Sequence, residues 1–206
     1  MDLQFYGANC VTITHKGARV IIDDNLADLG AKNITKADDV TLFTSVHATS
    51  QGRLSLDSPG EYEVSDISIY GISAQAHIDE PGTNRSTMFK LIVGELSVLV
   101  TGHIYPHLTD KQLEAIGMVD VMIVPVGGNG YTVDPVGALK LIKEVEPKLV
   151  IPTHYADPAL KFPVPQQDLK NALTELGMEP RETTLKLKIK HTELPEITSL
   201  IVLEKS

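Results

Sequence analysis

Seven histidines are spread along this chain, and the useful question is where they fall. His47, His77, His103 and His154 each lie at or just past the C-terminal end of a stretch with strand character. Neutral imidazole is a good ligand for zinc and its neighbouring transition metals, and it also carries protons near neutral pH. Strands of one sheet system bring such ends to a common rim, where ligands bind in open α/β sheets. Four imidazoles on one rim would make a metal site. Four unrelated loop histidines are the other reading, because no local His-x-x-x-His pair ties any two of them together. His15 and His191 match no pattern and read as surface residues. His107, in "YPHLT", reads either as a rim-side proton donor or as a plain surface loop residue.

The elements that must position these residues are legible as short strands followed by mixed strands and helices. "LQFYGANCVTITHKGARVIIDD" reads as three strands with turns at Gly7–Asn9 and His15–Gly17, and "DVTLFTSV" as a buried strand. "GEYEVSDISIYGISAQAH" reads as a hairpin turning near Ser65–Asp66. "STMFKLIVGELSVLVTGH" reads as two strands around Gly94–Glu95 that end at His103. Thr109 caps a short helix that closes at Gly117, and Asp134 followed by Pro135 opens a second. "DVMIVPVGG" and "KLVIPTHY" are further buried strands. "PQQDLKNALTELG" is a helix, and "TLKLKI" and "TSLIVLE" close the chain as strands. Sheets with helices packed outside them are the expected result.

Length and charge narrow the function classes. At 206 residues the chain suits one sizeable domain, 1–206, that buries enough surface to need no disulfide. Its single cysteine, Cys10, fits a reducing compartment, and with no basic leader in residues 1–14 a cytoplasmic location is expected. No apolar run approaches the roughly 20 residues of a membrane helix. The net charge of −9 disfavours a nucleic-acid backbone as partner. A homo-oligomer is compatible with all of this.

Several longer motifs carry a family resemblance: "GANCVTI", "VIIDDN", "SPGEYEV", "TDKQLEAIGMVDVMIVPVGGNGYTVDP", "PKLVIPTHY" and "LPEITSLIVLE". In this order they resemble the metallo-β-lactamase superfamily, in the Zn-dependent hydrolase-like branch that also holds an ascorbate-6-phosphate lactonase. The resemblance implies an α/β (α+β) fold, the four-layer αββα sandwich. In it two β-sheets lie face to face with helices outside, and a metal site sits on one edge.

The family's five site motifs carry over unevenly. The Asp that follows an early strand is matched by Asp23. The His-x-His-x-Asp-His motif falls on Ser45, His47, Thr49 and Ser50, so only one of its four signature residues is kept. The third-motif His is matched by His77, and the final His by His154. At the position of the Asp that bridges two metals stands His103. The resemblance therefore leaves three imidazoles around the first metal position, His47, His77 and His103. At the second it leaves at most two, His103 and His154. A neutral imidazole cannot bridge two cations as a carboxylate does, so the two-metal centre is expected to be lost.

Two outcomes follow. Three histidines and one open position form a known catalytic zinc arrangement that lowers the pKa of bound water to about 7. In that case one divalent transition metal, Zn or else Mn or Fe, would hold a hydroxide that attacks an ester, lactone or phosphoester. His154 would act as a fourth ligand or a proton carrier, and Asp23 would steady the ligands by hydrogen bonding. Alternatively no metal binds, and the scaffold is a pseudoenzyme serving as a ligand- or protein-binding module. Asn84 and Arg85, in the polar loop 79–87, are candidates for meeting an anionic group. Asn129 and Tyr131, in the Gly-rich loop 127–131, are candidates for facing substrate.

Overall fold

The computed structural model describes residues 1–45, 52–80 and 82–206. The first sheet draws on the N-terminal strands β1 (Asp2–Gly7), β2 (Cys10–His15), β3 (Ala18–Ile22), β4 (Val40–Leu42) and β5 (Leu54–Leu56). The middle of the chain contributes β6 (Gly60–Val64), β7 (Ile67–Ala74), β8 (Ser86–Val93) and β9 (Leu96–Val100). The remainder alternates: α1 (Asp110–Ile116), β10 (Val121–Pro125), α2 (Pro135–Val145), β11 (Leu149–Thr153), α3 (Leu169–Leu176), β12 (Pro180–Thr184), β13 (Leu187–Lys188) and β14 (Ser199–Leu203).

These strands form two sheets, ordered β13-β1-β2-β3-β4-β5 and β12-β14-β11-β10-β9-β8-β7-β6. Both are mixed. β1 to β3 and β6 to β9 run as antiparallel meanders, while β3–β4–β5 and β9–β10–β11–β14–β12 pair in parallel. The hairpin between β6 and β7 turns on Ser65 and Asp66 at φ 50° and 62°. Two successive left-handed residues give the turn whose twist matches the flanking strands. The three α-helices among the described residues start on side-chain caps, with Thr109, Asp134 and Asp168 accepting backbone N–H bonds, and Thr109 with Gln112 completes a capping box.

Three apolar layers hold the stack together. Leu3, Phe5, Val11 and Ile13 meet Phe89, Leu91, Val98 and Ile123 between the two sheets. On the far face of the eight-stranded sheet, Met122, Val124 and Val150 pack under Ile116, Leu141, Ile142 and Leu176 of the helices. The outer face of the six-stranded sheet is covered differently. Cys10 and Ile21 pack under Leu26 and Leu29, which lie in a 3-10 turn, and under Leu160. The fourth layer of the sandwich is thus a 3-10 turn and loop segments, with α1 to α3 gathered on the opposite side.

Among the described residues the expected strands and helices are present, with three local differences, of which one is the unannounced β5. "TLKLKI" yields only the two-residue β13 at the edge of the six-stranded sheet, and the unexpected β12, built on the polar "PRETT", edges the eight-stranded sheet. Pairing with β14 makes β12 a strand, and its own sequence gives no alternation to announce it.

The parallel pairing decides where functional residues gather. β3, β4, β9, β10 and β11 all deliver their C-terminal ends to one rim, followed by Asp23, Phe43–Thr44, Thr101–His103, Val126–Gly128 and His154. Gly102 sits at φ +62°, and a Cβ there would run into the Thr44 side chain. Gly102→Ala is expected to destabilise the protein by about 2–4 kcal/mol, from left-handed strain together with overpacking, as read by urea denaturation.

Candidate functional site

A buried carboxylate organises the rim. Asp23 accepts hydrogen bonds from Asn9 Nδ2 (2.6 Å), from the Thr44 backbone N–H (2.7 Å) and from Thr44 Oγ1 (2.6 Å). Thr153 Oγ1 in turn donates to Asn9 Oδ1 at 2.6 Å. Four elements, the β1–β2 turn and the ends of β3, β4 and β11, are therefore pinned by one polar cluster. Burial pushes the Asp23 carboxyl up, and the bonds from Thr44 and Asn9 oppose that push. Both carboxylate oxygens are engaged within the protein, so Asp23 is a brace for the rim.

Two imidazoles stand beside it. The rings of His103 and His154 have centroids 4.5 Å apart and are perpendicular. His154 sits at φ +53°, and its N–H donates to Ala8 O at 2.6 Å. A non-glycine residue in that region is strained, and its surroundings must hold it there. His154 Nδ1 lies 3.1 Å from Gln166 Oε1, and Gln166 Nε2 donates to Val164 O at 2.7 Å. The amide orientation is therefore fixed, Nδ1 carries the proton, and Nε2 of His154 keeps a free lone pair. His103 Nδ1 contacts Thr132 Oγ1 at 2.8 Å. Gly127 is required here, because a Cβ would strike both His154 O and Gln166 Oε1.

Both rings are held neutral. Burial drops His154 from its ordinary 6.5 to about 4, partly offset by its bond to Gln166. His103 lies well below the ordinary value through burial first, then through the nearby His154 and His77.

A cavity of about 380 Å³ opens beside this pair, with His77, His103 and Tyr131 on its wall together with Asp79, Arg85 and Ser86. Tyr131 meets His103 edge-on at 5.7 Å and stacks on His154 at 5.9 Å. The loops bearing His77 and His103 are joined directly, with the His77 N–H donating to His103 O at 2.7 Å. His77 Nδ1 is buried with no hydrogen-bond partner among the described residues.

The expected site residues separate on this geometry. His77, His103, Tyr131, Arg85 and Ser45 line the cavity, and His154 joins them through its ring contacts. Asn129 is exposed and donates to Pro165 O, and Asn84 is exposed outside the lining. His107 is exposed and faces Lys140. His47, Thr49 and Ser50 lie outside the described residues. Among the described residues no three of His, Cys, Asp and Glu stand close enough to hold a metal ion. Sequence reading missed Asn9, Thr44, Thr132 and Gln166, which orient the site from other loops. Only Thr132 had a local signal, next to Tyr131 in the Gly-rich loop.

A model of the β-lactamase superfamily domain matches residues 2–154. The chain belongs to that family. Two curated relatives carry the name UPF0173 metal-dependent hydrolase. The one from Salinibacter ruber is 38% identical over 96 residues, 45% of this chain and 40% of the relative. The one from Carboxydothermus hydrogenoformans is 42% identical over 67 residues, 32% of this chain and 29% of the relative. The matched stretches thus span less than half the length of either relative. A solved structure from Thermotoga maritima, named as a Zn-dependent hydrolase of the metallo-β-lactamase superfamily, matches with a TM-score of 0.74 and 25% identity over 98% of both chains. The two-sheet architecture of this β-lactamase-superfamily chain is therefore the family fold.

Two outcomes follow from the site as described. Asp23→Ala strands the Asn9 amide and two Thr44 donors, and is expected to cost on the order of 3–5 kcal/mol in denaturant unfolding. The metal-free protein is expected to lose stability as the pH falls from 6.5 toward 4, because the unfolded chain takes up a proton that native His154 refuses. The loss attributable to His154 reaches about 3 kcal/mol at the acid end of that window, as measured by melting temperature against pH. His154→Gln is expected to flatten that dependence.

Proposed function

We propose that this β-lactamase-superfamily chain is a divergent hydrolase that uses one divalent transition metal ion, zinc or else manganese or iron, in place of a bridged pair. The observation that carries this reading is the His103–His154 pair: two neutral imidazoles at 4.5 Å, each with Nδ1 tied to an uncharged side chain. That is the donor chemistry a borderline cation takes, and the partners on Nδ1 are the kind that orient metal-binding histidines. The names of the relatives, metal-dependent and Zn-dependent hydrolases, agree with it. A bridged pair fits poorly, because the family resemblance puts His103 where a bridging carboxylate would stand, and the buried Asp23 has both oxygens occupied.

In this reading His103 and His77 hold the ion, with His47 as the third imidazole by its place in the family motif. A bound cation would supply Lewis acidity and an activated water. This chain's own residues do the rest. His154, its tautomer fixed by Gln166, offers Nε2 to the ion as a fourth ligand or to a proton. Tyr131 packs against both rings and walls the cavity, and Asp23 keeps the rim in register. The reaction is hydrolysis of an ester, lactone or phosphoester of a small molecule, and Arg85 at the cavity edge is committed to Asp79 through Nε and Nη2.

A second reading, a metal-free binding module on the same scaffold, is favoured by one observation. The described residues assemble no three-ligand group. Metal analysis of protein purified without chelator separates the two. The hydrolase reading expects about one equivalent of metal per chain, and about 2.7 kcal/mol of stabilisation at a hundred times the Kd. His103→Ala is expected to abolish that uptake, and His103→Asp is expected to leave the stoichiometry at one. Less than about 0.2 equivalents, with no gain in melting temperature on adding zinc or manganese, selects the binding module.

A further inference from the structure

The cavity beside His103 has a second polar wall, formed by Asp79, Arg85 and Ser86. Three side-chain atoms on this one cavity are buried without a hydrogen-bond partner among the described residues: Asp79 Oδ2, Ser86 Oγ and His77 Nδ1. The other such atoms, on His15, Asn25 and Glu144, lie on separate elements away from it. Buried polar groups are almost always satisfied, and a cluster of unsatisfied ones on a cavity wall points to a group supplied from outside the chain.

The chemistry of that group follows from its neighbours. The Asp79 side chain is only 2% exposed, so bulk water does not serve it. Its Oδ1 takes two donors from Arg85, Nε at 3.0 Å and Nη2, while Oδ2 takes none. The Arg85 guanidinium, whose hydrogen bonds to Asp79 are the main cause, holds the carboxyl below its usual range, so Oδ2 is a pure acceptor. Arg85 already balances the charge of Asp79. An ammonium group or a metal cation at Oδ2 would add a second positive charge next to that guanidinium. A hydroxyl adds none, can donate to Asp79 Oδ2, and can accept from the Ser86 hydroxyl.

We propose that Asp79 and Ser86 form a hydroxyl-recognition subsite, making the ligand of this cavity a hydroxylated small molecule of the sugar or polyol class. Its scissile bond is turned toward His103. The orientation of that bond rests on the hydrolase reading above, but the hydroxyl contact itself does not. Arg85 fixes the Asp79 carboxylate so that one oxygen is committed and the other is offered to the ligand. The cavity, at about 380 Å³, is within the range that encloses a small metabolite.

The test uses metal-free full-length protein titrated with D-ribose, glycerol and myo-inositol, with tetrahydrofuran as a ring lacking hydroxyls, followed by ligand-observed NMR. At least one hydroxylated probe is expected to bind where tetrahydrofuran does not. Ser86→Ala and Asp79→Asn are each expected to weaken that binding roughly tenfold, the loss of one charge-assisted or buried hydrogen bond. Ser86→Ala changes one atom, and an unchanged melting temperature shows that it is folded. It carries the test alone if Asp79→Asn unfolds. A crystal soaked with the binding probe is expected to place a hydroxyl within hydrogen-bond distance of Asp79 Oδ2 and Ser86 Oγ. The proposal is overturned if no hydroxylated probe binds better than tetrahydrofuran, or if folded Ser86→Ala binds as the wild type does. Binding by protein that takes up no metal would keep this subsite and remove only the hydrolase reading.

Discussion

The rim of this molecule depends on the buried carboxylate of Asp23. Three donors converge on it, and through Asn9 it reaches Thr153 at the end of the neighbouring sheet. A charged group at this depth is tolerated only because it is fully hydrogen-bonded, and an incomplete network would cost more than an apolar contact. The consequence is a shared edge. The six-stranded and eight-stranded sheets pack through non-directional apolar layers, which fix their separation but leave sliding comparatively cheap. The directional bonds around Asp23 remove that freedom where the strand ends meet. Gly102 and Gly127 then let the neighbouring loops approach Thr44 and His154 more closely than a side chain would allow.

Those constraints set the chemistry of the imidazoles. His154 takes a left-handed backbone because the end of β11 must turn within one residue while bonding Ala8. Gln166, anchored on Val164 O, then selects its tautomer. Burial keeps both His154 and His103 deprotonated well below neutral pH, which preserves nitrogen lone pairs for a cation or a proton at the cost of acid stability. The brace and the electrostatics are one device: the carboxylate that holds the rim in place is used up in doing so, leaving the histidines to face the cavity without a free anionic partner on that side.

The opposite wall uses charge in another way. Asp79 and Arg85 neutralise one another across a single carboxylate oxygen, so the cavity gains directional acceptors without net charge. In a chain of net charge −9, a locally neutral wall selects ligands by hydrogen-bond geometry in preference to long-range attraction.

What the sequence determined by itself was whatever depends on neighbours in the chain. β-Branched runs, the Ser65–Asp66 turn and the Thr109 and Asp134 caps fixed most elements. The ordered motifs identified the family and placed His77, His103 and His154 on strand ends. Substitution of Ser, Thr and His at family ligand positions was also legible, since it is a matter of residue identity. The tertiary structure alone decided which groups face one another. Gln166 stands 12 residues from His154, Thr132 lies 29 from His103, and Asn9 lies 144 from Thr153, separations that no periodicity or local motif reports. Asp79 and Ser86 read in sequence as ends of a polar loop. Their vacant hydrogen-bonding atoms exist only because β7 and β8 fold that loop against the histidine rim, where burial removes the water that would otherwise satisfy them.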